Sequence, residues 1–348
     1  MLGRATGFEA QRSDGKFLEA PFASASDGSG RRWILTAWEG LHRVWENPPV
    51  PCIHADPRLD DLPPGVERSA WGGLWFYEGD DPSGARAARL ASLREFVAED
   101  SSRSRPLDAV PDKLVVLTFD DSVASHATEV APRLRRHGFG ATFFITEGFS
   151  FRTNKTDYMT WEQIAALHRD GFEIGNHTAT HLPVTADTLG RLRQEVESIA
   201  ARCEAHGIPR PVSFAYPGNA IHPGALPLLR DLGIQFARRG GQPEREYREG
   251  LGVLYDPAED HPLLIPTAGD ARPDWALKDL ERAVSGAERG RIAVLQFHGV
   301  PDREHPWVHT PVERFEEYLE WLAANGYRCI ALRDLGRFVD PLDAPADP

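Results

Sequence analysis

Cysteine is scarce in this chain. Three in 348 residues, Cys52, Cys203 and Cys329, lie far apart and never at C-x-x-C spacing. That argues against a disulfide framework and against a structural zinc knuckle. Long apolar runs are missing too: the longest are strand-sized, well short of the roughly 18 residues a membrane span needs. Positive charge is in deficit, with 39 Lys+Arg against 52 Asp+Glu for a net charge of −13. That is the wrong sign for a protein that tracks a phosphate backbone, so no nucleic-acid partner is expected. The stretch from Met1 to Lys16 mixes charged and single apolar residues and has no apolar core of a secretory signal, so a cytoplasmic location is expected. What is present is ordinary for a folded protein: 41% hydrophobic and 26% charged residues. The length suits one large domain or one domain with a smaller companion.

Composition divides the chain further. Residues 1–30 are polar, with Gly and Ser gathered at Ser24 to Gly30, and are expected to be poorly ordered. Residues 31–105 form a Trp-rich extension. Five of the nine tryptophans (Trp33, Trp38, Trp45, Trp71 and Trp75) fall there among Pro and Asp clusters, a pattern of short strands joined by long turns. Tryptophans at strand spacing serve as core, although exposed ones can also stack on sugars. Helical spacing of Leu90, Leu93, Phe96 and Val97 predicts a helix over Ala85 to Glu99. A Ser/Arg/Pro stretch from Ser101 to Pro111 reads as a linker. The main domain is assigned to residues 106–340, leaving 341–348 as a tail.

From Lys113 onward one unit recurs: an amphipathic helix ends in glycine and a short apolar strand follows. Gly138 precedes Ala141–Ile145, Gly171 precedes Phe172–Ile174, Gly207 precedes Val212–Ala215, Gly233 precedes Ile234–Ala237 and Gly326 precedes Cys329–Leu332. Glycine just past a helix supplies the left-handed cap that other residues adopt only at a cost. Helix starts are marked by Thr160 with Gln163 at capping-box spacing and by Pro311 after Thr310. Alternation of this kind predicts an α/β fold with a mostly parallel sheet, and about seven strands in some 230 residues suit a closed or nearly closed barrel.

Four reactive groups each directly follow an apolar strand: Asp120-Asp121, His177 with His181, Tyr216-Pro217-Gly218-Asn219, and His298. In parallel barrels the C-terminal strand ends share one face, where active sites are built. Singly, each has a plainer explanation. Paired acids often start helices, two histidines four apart arise by coincidence on surfaces, and a lone His can be a core residue. Other histidines, such as His42 and His137, carry no pattern. Together, two imidazoles and a carboxylate make a ligand set of the catalytic-zinc type, with a position left for water. On a helix, side chains four apart lie close enough to share a ligand.

These residues, in this order, resemble the polysaccharide deacetylase family, the NodB homology domain, over roughly Leu107 to Val339. The resemblance implies a distorted (β/α) barrel of about seven parallel strands and hydrolysis of acetamide groups on amino sugars. It further implies one divalent metal, zinc above all with cobalt or nickel as alternatives, held by Asp121, His177 and His181. Asp120 would be the general base and His298 the general acid, with the Gly218 backbone N–H stabilising the oxyanion. A bound metal activates water and polarises a carbonyl, a carboxylate beside that water takes its proton, and a leaving amine needs an acid.

The chain also departs from the family pattern. Ser122 stands where Gly is usual, and Ala215 stands where many members have the Arg that pairs with the base. Arg238, at the end of the next predicted strand, is the candidate replacement; the alternative makes Arg238 and Arg239 solvated loop residues. Asp274-Trp275 resembles a fourth family motif. The loop Pro301 to Thr310 follows His298 and holds Trp307, which either stacks on substrate or anchors the loop; Tyr216 is a further candidate for substrate contact or support. Two other functions stay open. One is hydrolysis of a small amide or cyclic imide, which the missing signal sequence favours. The other is non-catalytic glycan binding through the Trp-rich part, which has no use for Asp120.

Overall fold

The computed structural model divides into two units, residues 1–106 and 107–348. It describes residues 107–241 and 253–342, and in the first unit 22–26, 29–38, 41–47, 50–57, 72–80 and parts of 84–92.

In the first unit, β1 (Phe22–Ser26), β2 (Arg32–Trp38) and β5 (Gly72–Glu78) make an antiparallel sheet in the order β1-β2-β5, and β3 (Leu41–Asn47) pairs with β4 (Val50–Pro57). Strand β1 falls in the stretch expected to be poorly ordered. Pairing from Phe22 opposite Ala37 to Ser26 opposite Trp33 satisfies its backbone, which the side chains alone do not announce. Period-2 alternation puts Trp33, Leu35 and Ala37 on one face, opposite Tyr77, Trp75 and Gly73. Leu35 and Ala37 are buried there and the aromatic rings half-buried, so Trp33 and Trp75 act in packing. Trp38 lies on the other face and covers Gly72, where an added Cβ would meet its ring at 2.4 Å. Trp71, the side chain of Trp45 and the end of the Ala85–Glu99 helix lie outside the described residues, while those described between 84 and 92 are helical.

The second unit is an eight-stranded sheet in which every strand pair is parallel. Its strands are β6 (Leu114–Phe119), β7 (Thr142–Ile145), β8 (Glu173–Asn176), β9 (Ser213–Ala215), β10 (Phe236–Arg238), β11 (Gly269–Asp270), β12 (Ala293–Phe297) and β13 (Arg328–Ile330). The order is β10-β9-β8-β7-β6-β12-β11, with β13 also on β6. The segment 262–270 curls the sheet toward closure. Ile265 pairs with Arg238 of β10, and four residues on, Gly269 and Asp270 pair with Leu295 and Gln296 of β12.

Helices α1 (Ala131–His137), α2 (Trp161–Arg169), α3 (Leu189–Ala205), α4 (Ala225–Asp231), α5 (Leu277–Val284) and α6 (Val312–Ala324) alternate with the strands. The five recurrent glycines 138, 171, 207, 233 and 326 have φ from 66° to 94°, the left-handed conformation that the sequence pattern requires. Thr160 and Gln163 form the capping box reciprocally. Pro311 is the N-cap of α6, so that helix starts one residue later than expected. Among the described residues no helix is long and apolar enough to cross a membrane.

Strand β6 is buried on both sides, as its unbroken apolar run requires. Val115, Leu117 and Phe119 pack in one cluster with helix residues such as Leu134 and Phe315. Leu114 and Val116 pack in another with Phe144, Ala215, Phe236 and Val294, all strand residues. The second cluster is the barrel interior. Continuing the same alternation past it carries Asp120, Arg238, Gln296 and His298 to the interior side at the mouth.

Candidate active site

The parity of the strands gathers these groups, and the loops that follow bring in the rest. Asp121 Oδ1 lies 3.5 Å from His177 Nε2 and 3.4 Å from His181 Nε2. His177 Nδ1 faces the Ala215 carbonyl at 2.8 Å. That bond places the proton on Nδ1 and leaves the Nε2 lone pair aimed at Asp121, the usual way a ligating imidazole is oriented. The histidines are not on a helix, as their spacing first suggests. They sit on a turn after β8, with Thr178 at φ 59° and His181 at φ 55°. Glu195 of α3 fixes this turn by accepting from the Thr180 N–H at 2.8 Å, and Asn176 accepts from Thr178 N–H at 3.0 Å.

The charges in this cluster are strongly coupled. Burial works against the charge on Asp121, but the adjacent rings of His177, His298 and His181 hold its carboxyl far below the usual range. Burial would lower His177, and the carboxylates of Asp120 and Asp121 overcome it, so its pKa is raised. His181 is pushed down to about 4, by burial first and His177 second. Asp121 Oδ1 is buried with no hydrogen-bond partner among the described residues, and it faces two imidazole nitrogens. Ligand atoms of Asp121, His177 and His181 all lie within 4.8 Å of one another. A carboxylate oxygen and two lone-pair nitrogens converging on one point fit a divalent cation of the zinc class.

Asp120 is the neighbour turned inward. Its Oδ2 accepts from Arg238 Nη2 at 2.7 Å and from Gln296 Nε2 at 3.2 Å. Both ends of the Arg238–Asp120 pair are buried, and the guanidinium lies 5.6 Å from the Phe144 ring centroid. Asp120 Oδ1, also buried, takes no hydrogen bond among the described residues. Arg239 is buried too, donating to the Leu264 and Gly240 carbonyls. Neither arginine is a solvated loop residue. Parity separates them: Arg238 points inward as Phe236 does, and Arg239 ties the segment 262–270 to β10.

His298 Nε2 stands 3.9 Å from Asp121 Oδ2, and its Nδ1 stands 3.8 Å from Asp270 Oδ1. Asp270 is a residue the sequence reading missed. It lies on β11, its carboxylate is also paired with Arg272, and burial raises its pKa against the pull of His298 and the arginines. Trp275 of the noted Asp274-Trp275 pair is buried behind it, its ring occupying the space a Cβ on Gly269 would take. His126, also missed, supports His298 from below: its Nε2 faces the His298 carbonyl at 3.2 Å. Burial lowers the His126 pKa to about 4, so it stays neutral and donates.

The remaining candidates separate by exposure. Gly218 lies in a short turn, Pro217–Asn219, at φ 59°, with open space where a Cβ would be. The turn's hydrogen bonds come from the N–H groups of Asn219 and Ala220. Tyr216 is fully buried and donates its hydroxyl to the Leu263 carbonyl at 3.0 Å, which makes it a support of the closing segment. Trp307 is 64% exposed. Ser122 has φ 58°, and its hydroxyl donates to the Thr146 carbonyl and accepts from the Thr146 N–H at 2.8 and 2.9 Å. A serine can therefore stand in the usual glycine position by tying β6 to β7.

Residues 108–237 match the sequence model of the polysaccharide deacetylase family. A peptidoglycan-N-acetylglucosamine deacetylase from Bacillus cereus is 26% identical over 232 residues, covering 65% of this chain and 90% of that protein. Among solved structures, a family 4 acetyl xylan esterase from Clostridium thermocellum, in complex with a cobalt ion, matches at 22% identity and TM-score 0.46. The match covers 66% of this chain and 96% of that one. A family pseudoenzyme from Bacillus anthracis matches at 16% identity and TM-score 0.44, over 65% and 66% of the two chains. Over residues 108–237 the chain is thus similar to the polysaccharide deacetylase family, and it shares 26% identity with the Bacillus cereus deacetylase.

Proposed function

We propose that this protein is a metal-dependent deacetylase that removes acetyl groups from an N-acetylated amino-sugar polymer or oligomer. The observation that carries the reading is the division of labour between adjacent carboxylates. Asp121 faces His177 and His181, while Asp120 faces away from them onto Arg238 and Gln296. Asp121, His177 and His181 would hold the cation, with zinc expected and cobalt or nickel able to replace it. When bound, the cation supplies Lewis-acid polarisation of the amide carbonyl and acidification of a water.

The chain's own groups account for the rest. Arg238 and Gln296 fix Asp120 Oδ2, leaving Oδ1 to accept the proton of the attacking water. His298, backed by Asp270 and by His126 at its carbonyl, donates a proton to the amine nitrogen as the C–N bond breaks. The Gly218 N–H, in a turn open on its Cβ side, stabilises charge developing on the carbonyl oxygen. The Bacillus cereus relative's substrate class, an N-acetylglucosamine-containing glycan, supports the choice of substrate.

Acetate release from N-acetylated sugars and small acetamides, together with ring opening of a cyclic imide, tests the reading. Turnover confined to the sugars supports it. Turnover confined to the small amides or the imide replaces it with the alternative on the same fold. Glycan capture without any product marks a binding protein.

A further inference from the structure

Two aromatic rings of the barrel unit are exposed among the described residues, Phe149 at 50% and Trp307 at 64%. They belong to different loops, yet both pack on His305, with ring centroids 4.7 and 5.4 Å away. Phe149 also lies 4.6 Å from the ring of His181, so it forms a wall of the cation cluster. Underneath, the buried ring of Tyr158 lies stacked 6.4 Å from Phe149. Asp302, itself buried, holds His305 in place by accepting its backbone N–H at 2.8 Å.

The backbone is arranged to present this ring. Phe149 has φ 55°, which a bulky residue seldom adopts. The residue before it, Gly148, lies so close to the His181 turn that a Cβ would meet His181 Cβ at 2.9 Å. Close approach at Gly148 and a left-handed Phe149 together hold an apolar ring in water beside the reacting groups. Such strain persists where the surrounding structure over-determines it, and it gathers at binding sites. Exposed rings at a polar mouth match the apolar C–H face of a pyranose, whereas a small amide buried at the cation cluster has nothing to place against Trp307.

We infer that Phe149 and Trp307, joined through His305, form a stacking platform for the sugar rings of an oligosaccharide, and that Phe149 sets the preference for sugar over small amides. This rests on the deacetylase reading for its chemistry but not for its measurement. The test is calorimetric binding of the β-1,4-linked tetramer of N-acetylglucosamine to the full chain in an Asp120→Asn background. Loss of a stacked ring is worth roughly 2- to 10-fold in affinity. Phe149→Ala should weaken tetramer binding by about that factor, Trp307→Ala should do the same, and Phe149→Tyr should restore wild-type affinity, with bound metal unchanged throughout. Affinities unchanged in both alanine variants, or Phe149→Tyr as weak as Phe149→Ala, overturn the platform. Acetate release from the same tetramer by the wild type is scored separately. No acetate with the binding pattern intact leaves the platform standing and removes the deacetylase reading. Acetate with unchanged affinities removes the platform alone.

Discussion

The two ends of the barrel reach the same backbone conformation by different means. At the end where helices feed strands, left-handed φ is carried mostly by glycine, 138, 171, 207, 233, 290 and 326, with Lys113 and Arg289 as the other two. At the opposite end, where strands run into loops, it is carried mostly by residues with side chains, Asp121, Ser122, Phe149, Thr178, His181 and Asn219, with Gly218 the one glycine among them. Glycine adopts that region freely, while a side chain there costs on the order of 1 kcal/mol or more. One end is therefore built for stability. The other accepts strain to point Asp121 and His181 at each other, and its buried oxygens Asp120 Oδ1, Asp121 Oδ1 and Asp270 Oδ1 have no hydrogen-bond partner among the described residues.

Removing a residue proposed to hold the cation should give the largest effect. His177→Ala and His181→Ala should each lose metal by elemental analysis and most of the turnover. His181 also carries strain, so His181→Gly should be more stable than His181→Ala by about 1 kcal/mol in denaturant unfolding, although neither binds metal. Equal stability of the two would mean the left-handed turn stores nothing.

Next in size is the buried pair. Arg238→Ala leaves Asp120 unpaired, and breaking a buried ion pair from one side costs about 3–5 kcal/mol. Stability should drop accordingly in urea unfolding, metal should remain, and turnover should fall, because nothing fixes the orientation of Asp120. Adding Ala215→Arg should recover part of both losses, since Arg238 and Ala215 are neighbours across β9 and β10. An Arg238→Ala enzyme with stability and turnover both unchanged would break the account of this pair.

His126 separates the ends by pH. Its folded pKa of about 4 lies below the usual 6.5, so the unfolded chain binds the proton first. Its contribution is intact above pH 6.5 and is lost as pH falls toward 4, a change on the order of 3 kcal/mol. His126→Gln should lose stability less steeply than wild type across that window; parallel curves would contradict it. Smallest is Gly171→Ala at the glycine end. A Cβ there meets nothing within 4 Å, so the cost is backbone strain alone, about 1 kcal/mol in thermal unfolding with kcat unchanged.

The glycine end was legible in the sequence because its signals are local: helix, glycine, apolar strand. The active end was legible only as residue identities after strands. Asp120-Asp121, His177, His181 and His298 stand out by position, but the turn that brings the histidines together depends on Glu195 and Asn176. The fit of Ser122 depends on Thr146, a neighbour across β6 and β7 that no spacing announces. Asp270 was missed because β11 is two residues long, too short for any periodicity. Arg238 could be singled out because it ends the next strand, at the same end of the sheet, and the register sets it beside Ala215. His126 gave no signal, since its partner is a backbone carbonyl 172 residues away.

The most direct test sets the two neighbouring carboxylates against each other. Asp120→Asn and Asp121→Asn are assayed together for bound metal and for acetate release from the N-acetylglucosamine tetramer. Asp120→Asn should keep its metal and lose about 10²–10⁴-fold in turnover, while Asp121→Asn should lose the metal itself. Turnover of Asp120→Asn within a fewfold of wild type, or metal loss of equal extent in both variants, would contradict the division of roles on which the account rests.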